Sequence, residues 1–452
     1  MTSENVQVAR LGQLLESKIN NRTAHVGIVG LGYVGLPLVI SNWTAGYQVS
    51  GFDIDPIKVE SLKRGKSYIS DITNTQVAAV AHDRSVSFHC GLEHVSTCDF
   101  VIICVPTPLK HSTDPESSLE PDMSILRSAI AGISTYIRRG QVVIIESTSY
   151  PGTTRREVLP ILTENSNLNV GIDFFVAFSP ERINPGSDSY ELKSIPKLVG
   201  GITNECTQLV TGYYRTIFDQ VIKVSSPEVA ELAKLVENSY RLVNIGFVNE
   251  LAILCEDWGI DIWEVIEAAD SKPFGFQKFY PGPGVGGHCI PVDPLYLSWF
   301  AKETGLTTSL IDRASEINRG MPSYLIRKIN KLLDASATGG TKRVLIIGVT
   351  YKADVADCRE STAFHLIEKL STSGFQVDYF DPLVTEIILD NGTRLVSEKF
   401  ELIDYRTYDL VIIHTDHSSI NYLTISERAN AIFDTRNILR RRGIVASHIS
   451  TL

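Results

Sequence analysis

Val26-Gly-Ile-Val-Gly30-Leu-Gly32-Tyr33-Val34-Gly35 is a short apolar run that opens directly into glycines spaced Gly-x-Gly-x-x-Gly, with a helix-compatible segment behind it. This is how the first β–α unit of a doubly wound, dinucleotide-binding sheet reads: Gly30 permits the tight turn, Gly32 lets the backbone approach a pyrophosphate, and Gly35 lets the helix pack close with its N-terminus facing the phosphates. The glycines alone are a weak signal, because a β–α turn without a ligand can carry them too. Asp53 sharpens it. It closes the second apolar run about 20 residues on, where a carboxylate accepts hydrogen bonds from both ribose hydroxyls. That charge repels a 2′-phosphate and so selects NAD over NADP, with Lys58 the one feature that works against the choice.

Working outward, Val/Ile-rich runs alternate with longer helical patterns, the mark of βαβ units around a buried parallel sheet. Strands are expected at His25–Val29, Gln48–Phe52, Asp99–Val105, Gln141–Glu146 and Phe174–Phe178, then again at Arg343–Gly348, Gln376–Phe380, Asp409–His414 and Ala431–Phe433. The two series echo each other, since Gly51-Phe-Asp53 and Tyr379-Phe-Asp381 both close a second strand with an aromatic and an aspartate. The expected class is therefore α/β: two Rossmann-like parallel-sheet domains, residues 1–222 and 336–452, joined by a long central helix within a small helical domain, 223–335. That helix, from Pro227 to about Gly259, has no internal proline and exceeds the usual globular length. It should leave apolar residues uncovered and carry a homodimer interface.

Length sets the scale: 452 residues is a prior of about three domains. With 43% hydrophobic and 21% charged residues the chain has a globular composition. A net charge of −10 without a Lys/Arg block argues against nucleic acid or an anionic membrane as the main partner. The apolar runs fall well short of a membrane span, and residues 1–20 read as a capping helix, not a signal peptide, pointing to a cytoplasmic protein. Seven scattered cysteines without a CxxC pair argue against disulfide and zinc frameworks.

One cysteine stands apart. Gly282-Pro-Gly284-Val-Gly286-Gly287-His288-Cys289-Ile-Pro-Val-Asp293 sets Cys289 behind glycines that neither helix nor strand would choose, and such glycines are kept where backbone approaches something closely. Asp293 lies near enough to orient the thiol. A nucleophile and an incidental Cys in a tight turn both fit. On the long helix, Lys234, Asn238 and Arg241 share a face at i, i+4 and i+7. A solvated polar face explains that set, although Asn238, a poor helix former in mid-helix, suggests an amide that serves a partner.

Together these residues resemble the UDP-glucose/GDP-mannose dehydrogenases, the nucleotide-sugar 6-dehydrogenases, from about residue 24 to 440. The motifs run in order: Gly30-Leu-Gly-Tyr-Val-Gly-Leu-Pro37, Val105-Pro106-Thr107-Pro108, Glu146-Ser-Thr148 with Pro151-Gly152, Ser179-Pro-Glu181, the Lys234/Asn238 helix, Gly286-Gly-His-Cys289 with Asp293, and Tyr351-Lys352 through Arg359-Glu-Ser361. The resemblance implies oxidation of a sugar C6 hydroxyl to a carboxylate in two hydride transfers to two NAD⁺, with Cys289 holding the aldehyde as a thiohemiacetal and then a thioester. It implies that Lys234 and Asn238 steady the oxyanion at C6, that Thr148 and Asp293 hold or activate a water and assist proton transfer, and that Glu181 serves thioester hydrolysis. It also implies that Lys352 and Arg436 touch the nucleotide-sugar and that Arg359 reaches the cofactor, supplying cations for a diphosphate in an acidic chain.

Within the family, Ser179-Pro-Glu-Arg182-Ile-Asn-Pro-Gly186 and Glu237-Asn-Ser-Tyr-Arg241-Leu-Val-Asn-Ile-Gly-Phe-Val-Asn249 look like the branch acting on UDP-N-acetylhexosamines. The stretch from Tyr280 to Asp293 is more similar to UDP-N-acetylglucosamine 6-dehydrogenases than to the galactosamine or mannosamine enzymes. UDP-GalNAc, UDP-ManNAc and UDP-glucose are the alternatives. Arg182 and Arg241 are candidates for the N-acetyl carbonyl or the diphosphate, or are surface salt-bridge residues. The chain departs from the family where Lys110–Leu119 lengthens a loop before Glu120-Pro-Asp122, either a lid or a surface insertion. Two rivals remain. A single-step hydroxyacid dehydrogenase needs neither Cys289 nor a second sheet, and a non-catalytic nucleotide-binding scaffold needs none of Lys234, Asn238, Cys289 and Asp293.

Overall fold

The computed structural model describes residues 3–69, 72–110, 120–164, 166–183, 191–334 and 341–452. Nearly all of the Lys110–Leu119 insertion lies outside these residues, as do Asn184–Gly186. The chain forms two compact units, Met1–Glu237 with Leu295–Leu306, and Asn238–Pro294 with Thr307–Leu452.

In the first unit, β1 (His25–Val29), β2 (Gln48–Phe52), β3 (Val86–His89), β4 (Phe100–Ile103), β5 (Val142–Ile145), β6 (Phe175–Phe178), β7 (Lys197–Gly201) and β8 (Val221–Lys223) make one sheet in the order β3-β2-β1-β4-β5-β6-β7-β8. All neighbours are parallel except β6 and β7. Strands β4, β5 and β6 are apolar and buried at every position, as a sheet covered on both faces requires. The first six strands follow the dinucleotide-binding order, whose switch point between β1 and β4 puts ligands beyond the carboxyl ends of the strands.

At that end Gly30 takes φ +90° and its amide donates to the Phe52 carbonyl at 2.8 Å. The next amide, Leu31, donates to the Asp53 carboxylate at 2.9 Å.

The second unit repeats the device. Strands β9 (Arg343–Ile347), β10 (Gln376–Phe380), β13 (Leu410–Ile413), β14 (Ile432–Asp434) and β15 (Ile449–Thr451) form a parallel sheet in the order β10-β9-β13-β14-β15, while β11 (Glu386–Ile388) and β12 (Arg394–Val396) make a separate antiparallel pair. Gly348, at φ +82°, donates to the Phe380 carbonyl at 2.8 Å, and Val349 N–H donates to Asp381 at 2.7 Å. The echo read between Asp53 and Asp381 is thus one turn built twice. The two carboxylates then diverge. Asp381 also meets His417 Nε2 at 3.1 Å and the Leu383 amide at 2.8 Å, in full burial. Burial alone would raise its carboxyl, yet the bonds from His417 and the backbone amides hold it below the ordinary value.

The helix Pro227–Trp258 is 32 residues long, as its unbroken pattern anticipates. The nine expected strands are all present: three have the expected bounds, five are shorter by one to three residues, and the strand expected at Ala431–Phe433 runs from Ile432 to Asp434. Strands β3, β7, β8 and β15 and the β11–β12 pair are additional: all but β7 have three or four residues, and in β7 Lys197-Leu-Val-Gly-Gly201 carries a charge at one end and two glycines at the other. Among the described residues no helix is long and apolar enough to cross a membrane.

Candidate functional site

In the first unit the glycine turn has the shape its sequence suggests. A Cβ on Gly30 would overlap the Cys104 carbonyl, and one on Gly35 would overlap the Gly30 oxygen, whereas one on Gly32 would meet nothing within 4 Å. Backbone is therefore clamped on one side and open at Gly32, where a pyrophosphate needs close approach. Tyr33 and Val34 pack partly buried against the core beside it. Asp53 receives the Leu31 and Asp55 amides, and Lys58 Nζ stands 3.6 Å from its carboxylate. Tyr68 OH donates to the Leu31 carbonyl. These residues fit a dinucleotide: Gly32 offers open backbone and Asp53 a ribose acceptor. Pro106 and Thr107 follow β4; the Thr107 carbonyl accepts from Tyr296 OH at 2.6 Å.

Beyond β5, Glu146-Ser147-Thr148 turns toward the long helix. Ser147 Oγ donates to the Val105 carbonyl at 2.7 Å, and Lys234 Nζ donates to Thr148 Oγ1. Two candidate residues from distant sequence are thereby joined. The joint rests on Glu231, one helical turn before Lys234. Its buried carboxylate accepts the Gly152 amide at 2.5 Å, the Thr154 amide at 2.8 Å and the Thr154 hydroxyl at 2.6 Å. Burial pushes Glu231 above its ordinary value in spite of those donors. Sequence reading missed it, although a carboxylate on the apolar side of a helical pattern is a signal of a capped partner.

Glu181 follows β6 and is buried. Its carboxylate meets Lys197 Nζ at 2.8 Å and the amides of Arg182 and Ile183 at 2.8 Å each. Lys197 is likewise not singled out from sequence, and Glu146 is read there only as the first residue of the Glu146-Ser-Thr148 motif. Arg182 pairs with Glu237 at 2.6 Å and with the Pro196 carbonyl.

In the second unit, Asn238 Nδ2 donates to the buried Asp293 carboxylate at 2.7 Å, and the Asp293 amide donates to the Cys289 carbonyl at 2.8 Å. The mid-helix asparagine does serve a partner. Cys289 is half-buried, and none of the seven cysteines forms a disulfide. The glycines before it are tight against protein. A Cβ on Gly286 would run into the Glu360 carbonyl and Tyr351, one on Gly287 into the Tyr351 ring, and one on Gly282 into the Arg436 guanidinium. The Gly287 amide donates to the Arg359 carbonyl at 3.1 Å.

Arg436 Nε donates to the His414 carbonyl at 2.8 Å. Lys352 sits in the turn after β9, its carbonyl accepting from Thr350 Oγ1. Arg359 forks onto Asp357 at 2.6–3.1 Å. Tyr280 OH donates to Glu267. Arg241 is exposed on the long helix. Among the described residues no group of three or more His, Cys, Asp or Glu could hold a metal ion.

Three models of one family match in order: the NAD binding domain of the UDP-glucose/GDP-mannose dehydrogenase family at residues 24–218, its central domain at 228–320 and its UDP binding domain at 345–441. The chain is 34% identical over 424 residues to a UDP-N-acetyl-D-glucosamine 6-dehydrogenase of Pseudomonas aeruginosa, covering 92% of this chain and 97% of that one. It is 33% identical over 424 residues to a UDP-N-acetyl-D-mannosamine dehydrogenase of Methanocaldococcus jannaschii, covering 92% of each. Its fold matches the solved UDP-D-ManNAc dehydrogenase of Pyrococcus horikoshii with a TM-score of 0.82 at 31% identity, over 94% of this chain and 98% of that one.

The Glu231 anchor makes a direct prediction. Glu231→Leu leaves three buried donors without their acceptor, at a cost of about 3 kcal/mol, read as a lower urea midpoint for the first unit. Glu231→Gln, which keeps one carbonyl acceptor, should lose less. Equal stability of Glu231→Leu and the wild type would show that the anchor contributes nothing.

Proposed function

The chain belongs to the UDP-glucose/GDP-mannose dehydrogenase family, and from that premise we propose that it oxidises the C6 hydroxyl of a UDP-N-acetylhexosamine, UDP-N-acetylglucosamine first among them, to the uronic acid. It is an NAD-dependent oxidoreductase acting on a nucleotide-sugar. One observation carries the proposal: the motifs that carry the resemblance run in order along a chain that three models of the family match at residues 24–218, 228–320 and 345–441. The N-acetylglucosamine relative supports the sugar. The mannosamine relative is equally near, so the C2 epimer is the second reading.

NAD, when bound, supplies the hydride acceptor for both oxidations. Gly30, Gly32 and Gly35 with Tyr33 and Val34 would hold its pyrophosphate, Asp53 its ribose with Lys58 alongside, and Pro106, Thr107, Thr148 and Arg359 the remainder. The rest of the chemistry belongs to side chains. Lys234 and Asn238 donate to the oxygen on C6 as charge develops there. Cys289 sulfur adds to the aldehyde carbon, so the intermediate stays bound. Asp293, held by Asn238, lies one turn from the thiol's own backbone and assists proton movement, while Thr148 orients water under the Lys234 ammonium. Glu181 draws the proton from the water that cleaves the thioester. Lys352, Arg436, Arg182, Arg241, Tyr280 and Gly286 serve the nucleotide-sugar.

The decisive assay is NADH release on UDP-GlcNAc, UDP-ManNAc, UDP-GalNAc and UDP-glucose. Two NADH per UDP-GlcNAc, with the other sugars slower, is expected. One NADH per substrate would favour a single-step dehydrogenase, and fastest turnover on UDP-ManNAc would reassign the epimer. Cys289→Ser should bind NAD and substrate yet lose at least about a hundredfold in steady-state turnover. Continued production of the sugar acid at the wild-type rate would remove the covalent route.

We further infer a homodimer through the long helix. Tyr240, Phe247 and Leu254 lie at heptad spacing on that helix and are exposed, Phe247 to 52%, with Trp258 at 62% one turn on. Surfaces of that kind are normally covered by a partner. Light scattering should give twice the 49.9 kDa chain mass, and Phe247→Asp should shift it toward monomer. A monomeric wild type at micromolar concentration would end the idea.

A further inference from the structure

Behind Glu181 the first unit buries a second carboxylate and a cation that the family chemistry does not need for its named steps. Lys197, at the start of β7, places Nζ 2.7 Å from Glu146 Oε2 and 2.8 Å from Glu181 Oε2. The three side chains are 4%, 0% and 6% exposed. Tyr214 OH donates to the other oxygen of Glu146. The rings of Tyr214 and Phe218 lie 5.4 and 5.3 Å from the ammonium. Among the described residues Cys104, after β4, and Tyr213, on the helix Asn204–Tyr214, also face Glu146.

Two carboxylates around one ammonium leave a net negative charge in an apolar enclosure. As a stabilising device this is poor, because apolar residues of similar volume hold a core at least as well. As an electrostatic control on a base it has a clear logic. We propose that Glu146 and Lys197 are positioning residues that fix the Glu181 carboxylate and set how strongly it draws a proton from the hydrolytic water. The inference rests on Glu181 being that base. In the step it serves, the water oxygen bonds to the thioester carbonyl carbon as one water proton passes to Glu181. The carbon–sulfur bond breaks, the sulfur leaves as the Cys289 thiolate, and Glu181 then releases its proton to solvent.

The control works through charge. Burial drives Glu146 up to about 6, with Lys197 opposing and Glu181 reinforcing the rise. Burial also raises Glu181, but Lys197 and the Arg182 and Ile183 amides outweigh it and hold Glu181 below its ordinary value. Glu146 is therefore the carboxylate that protonates first as pH falls. Above about 6 its negative charge shares the ammonium and makes Glu181 the stronger base. Below that, Lys197 is left to Glu181 alone, and Glu181 weakens.

The test is thioester breakdown in the full-length enzyme with NAD and UDP-GlcNAc, followed by acid quench and intact mass across about pH 5–8. The wild type should slow as pH drops through about 6. Tyr214→Phe removes the donor that favours charged Glu146, so this limb should move to higher pH. Glu146→Gln should abolish the limb, slowing breakdown at least about tenfold at about pH 8 with thioester accumulating, and should approach the wild-type rate at the acid end, where Glu146 is already neutral. An unmoved limb in Tyr214→Phe overturns the proposal, and that variant decides the matter should Glu146→Gln fail to fold. Glu181→Gln runs beside them. If it accumulates no thioester, the underlying reading of Glu181 fails. If it accumulates thioester while the other two keep the wild-type profile, only the control by Glu146 and Lys197 fails.

Discussion

A parallel strand that ends in a turn leaves its next backbone amides without a ladder partner, and a buried amide must find an acceptor. Both sheets meet that constraint in one way. A glycine at positive φ hands its amide to the carbonyl at the end of the neighbouring strand, and the following amide reaches an aspartate. The aspartate is thus structural before it is functional. At Asp53 the surroundings are a lysine at 3.6 Å and the turn's own amides, which leaves acceptor capacity for a ribose. At Asp381 the same position is closed by His417 and by the Leu383 amide. One turn therefore leaves an open acceptor in one sheet and a sealed fold element in the other, and a single histidine makes much of the difference.

The acidic balance of the chain has a related consequence. A net charge of −10 means that carboxylates outnumber cations along the chain, and in each unit several of the candidate cations are already engaged. Lys197 lies between two carboxylates, Arg359 on Asp357, Arg182 on Glu237 and Lys58 beside Asp53. Carboxylates thus preset the position of each of these cations, so that little side-chain freedom is left for a ligand to remove. A carboxylate beside each cation also costs affinity for an anion, which is a reason for such sites to lean on backbone amides and open glycine backbone as well.

Much of this was legible in the sequence because it is local. The glycine spacing, the apolar strands and the unbroken 32-residue helix are periodic signals within single segments, and the Phe-Asp echo marked both switch points. The pairing of Asn238 was legible as well, since a poor helix former in mid-helix asks for a partner. What escaped was tertiary. Strand β7 runs antiparallel to β6 and carries Lys197, a residue that reads as an exposed strand end until Glu146 and Glu181 arrive from elsewhere in the chain. Glu231 stands out only as a carboxylate on the apolar side of the long helix, and only the fold brings Gly152 and Thr154 to it. The glycines before Cys289 were understood in kind but not in target: what approaches them in the structure is Tyr351, Glu360 and Arg436.

That last point bears on how the thiol is aimed. No regular element carries Cys289, so its direction comes from the main chain on either side. Downstream, its carbonyl accepts the Val292 and Asp293 amides as the helix Asp293–Glu303 begins. Upstream, Gly286 and Gly287 are pinned against the turn that follows β9 and against Glu360, with the Gly287 amide bound to the Arg359 carbonyl. Those contacts come from the same stretch, Tyr351 to Ser361, that carries Lys352 and Arg359. Any displacement of that stretch on meeting a nucleotide-sugar must therefore be felt at the cysteine loop, because close-packed backbone contacts shift together or not at all. The glycines are what makes this coupling possible: a side chain at either position would hold the two segments apart and remove the upstream anchor of the cysteine loop.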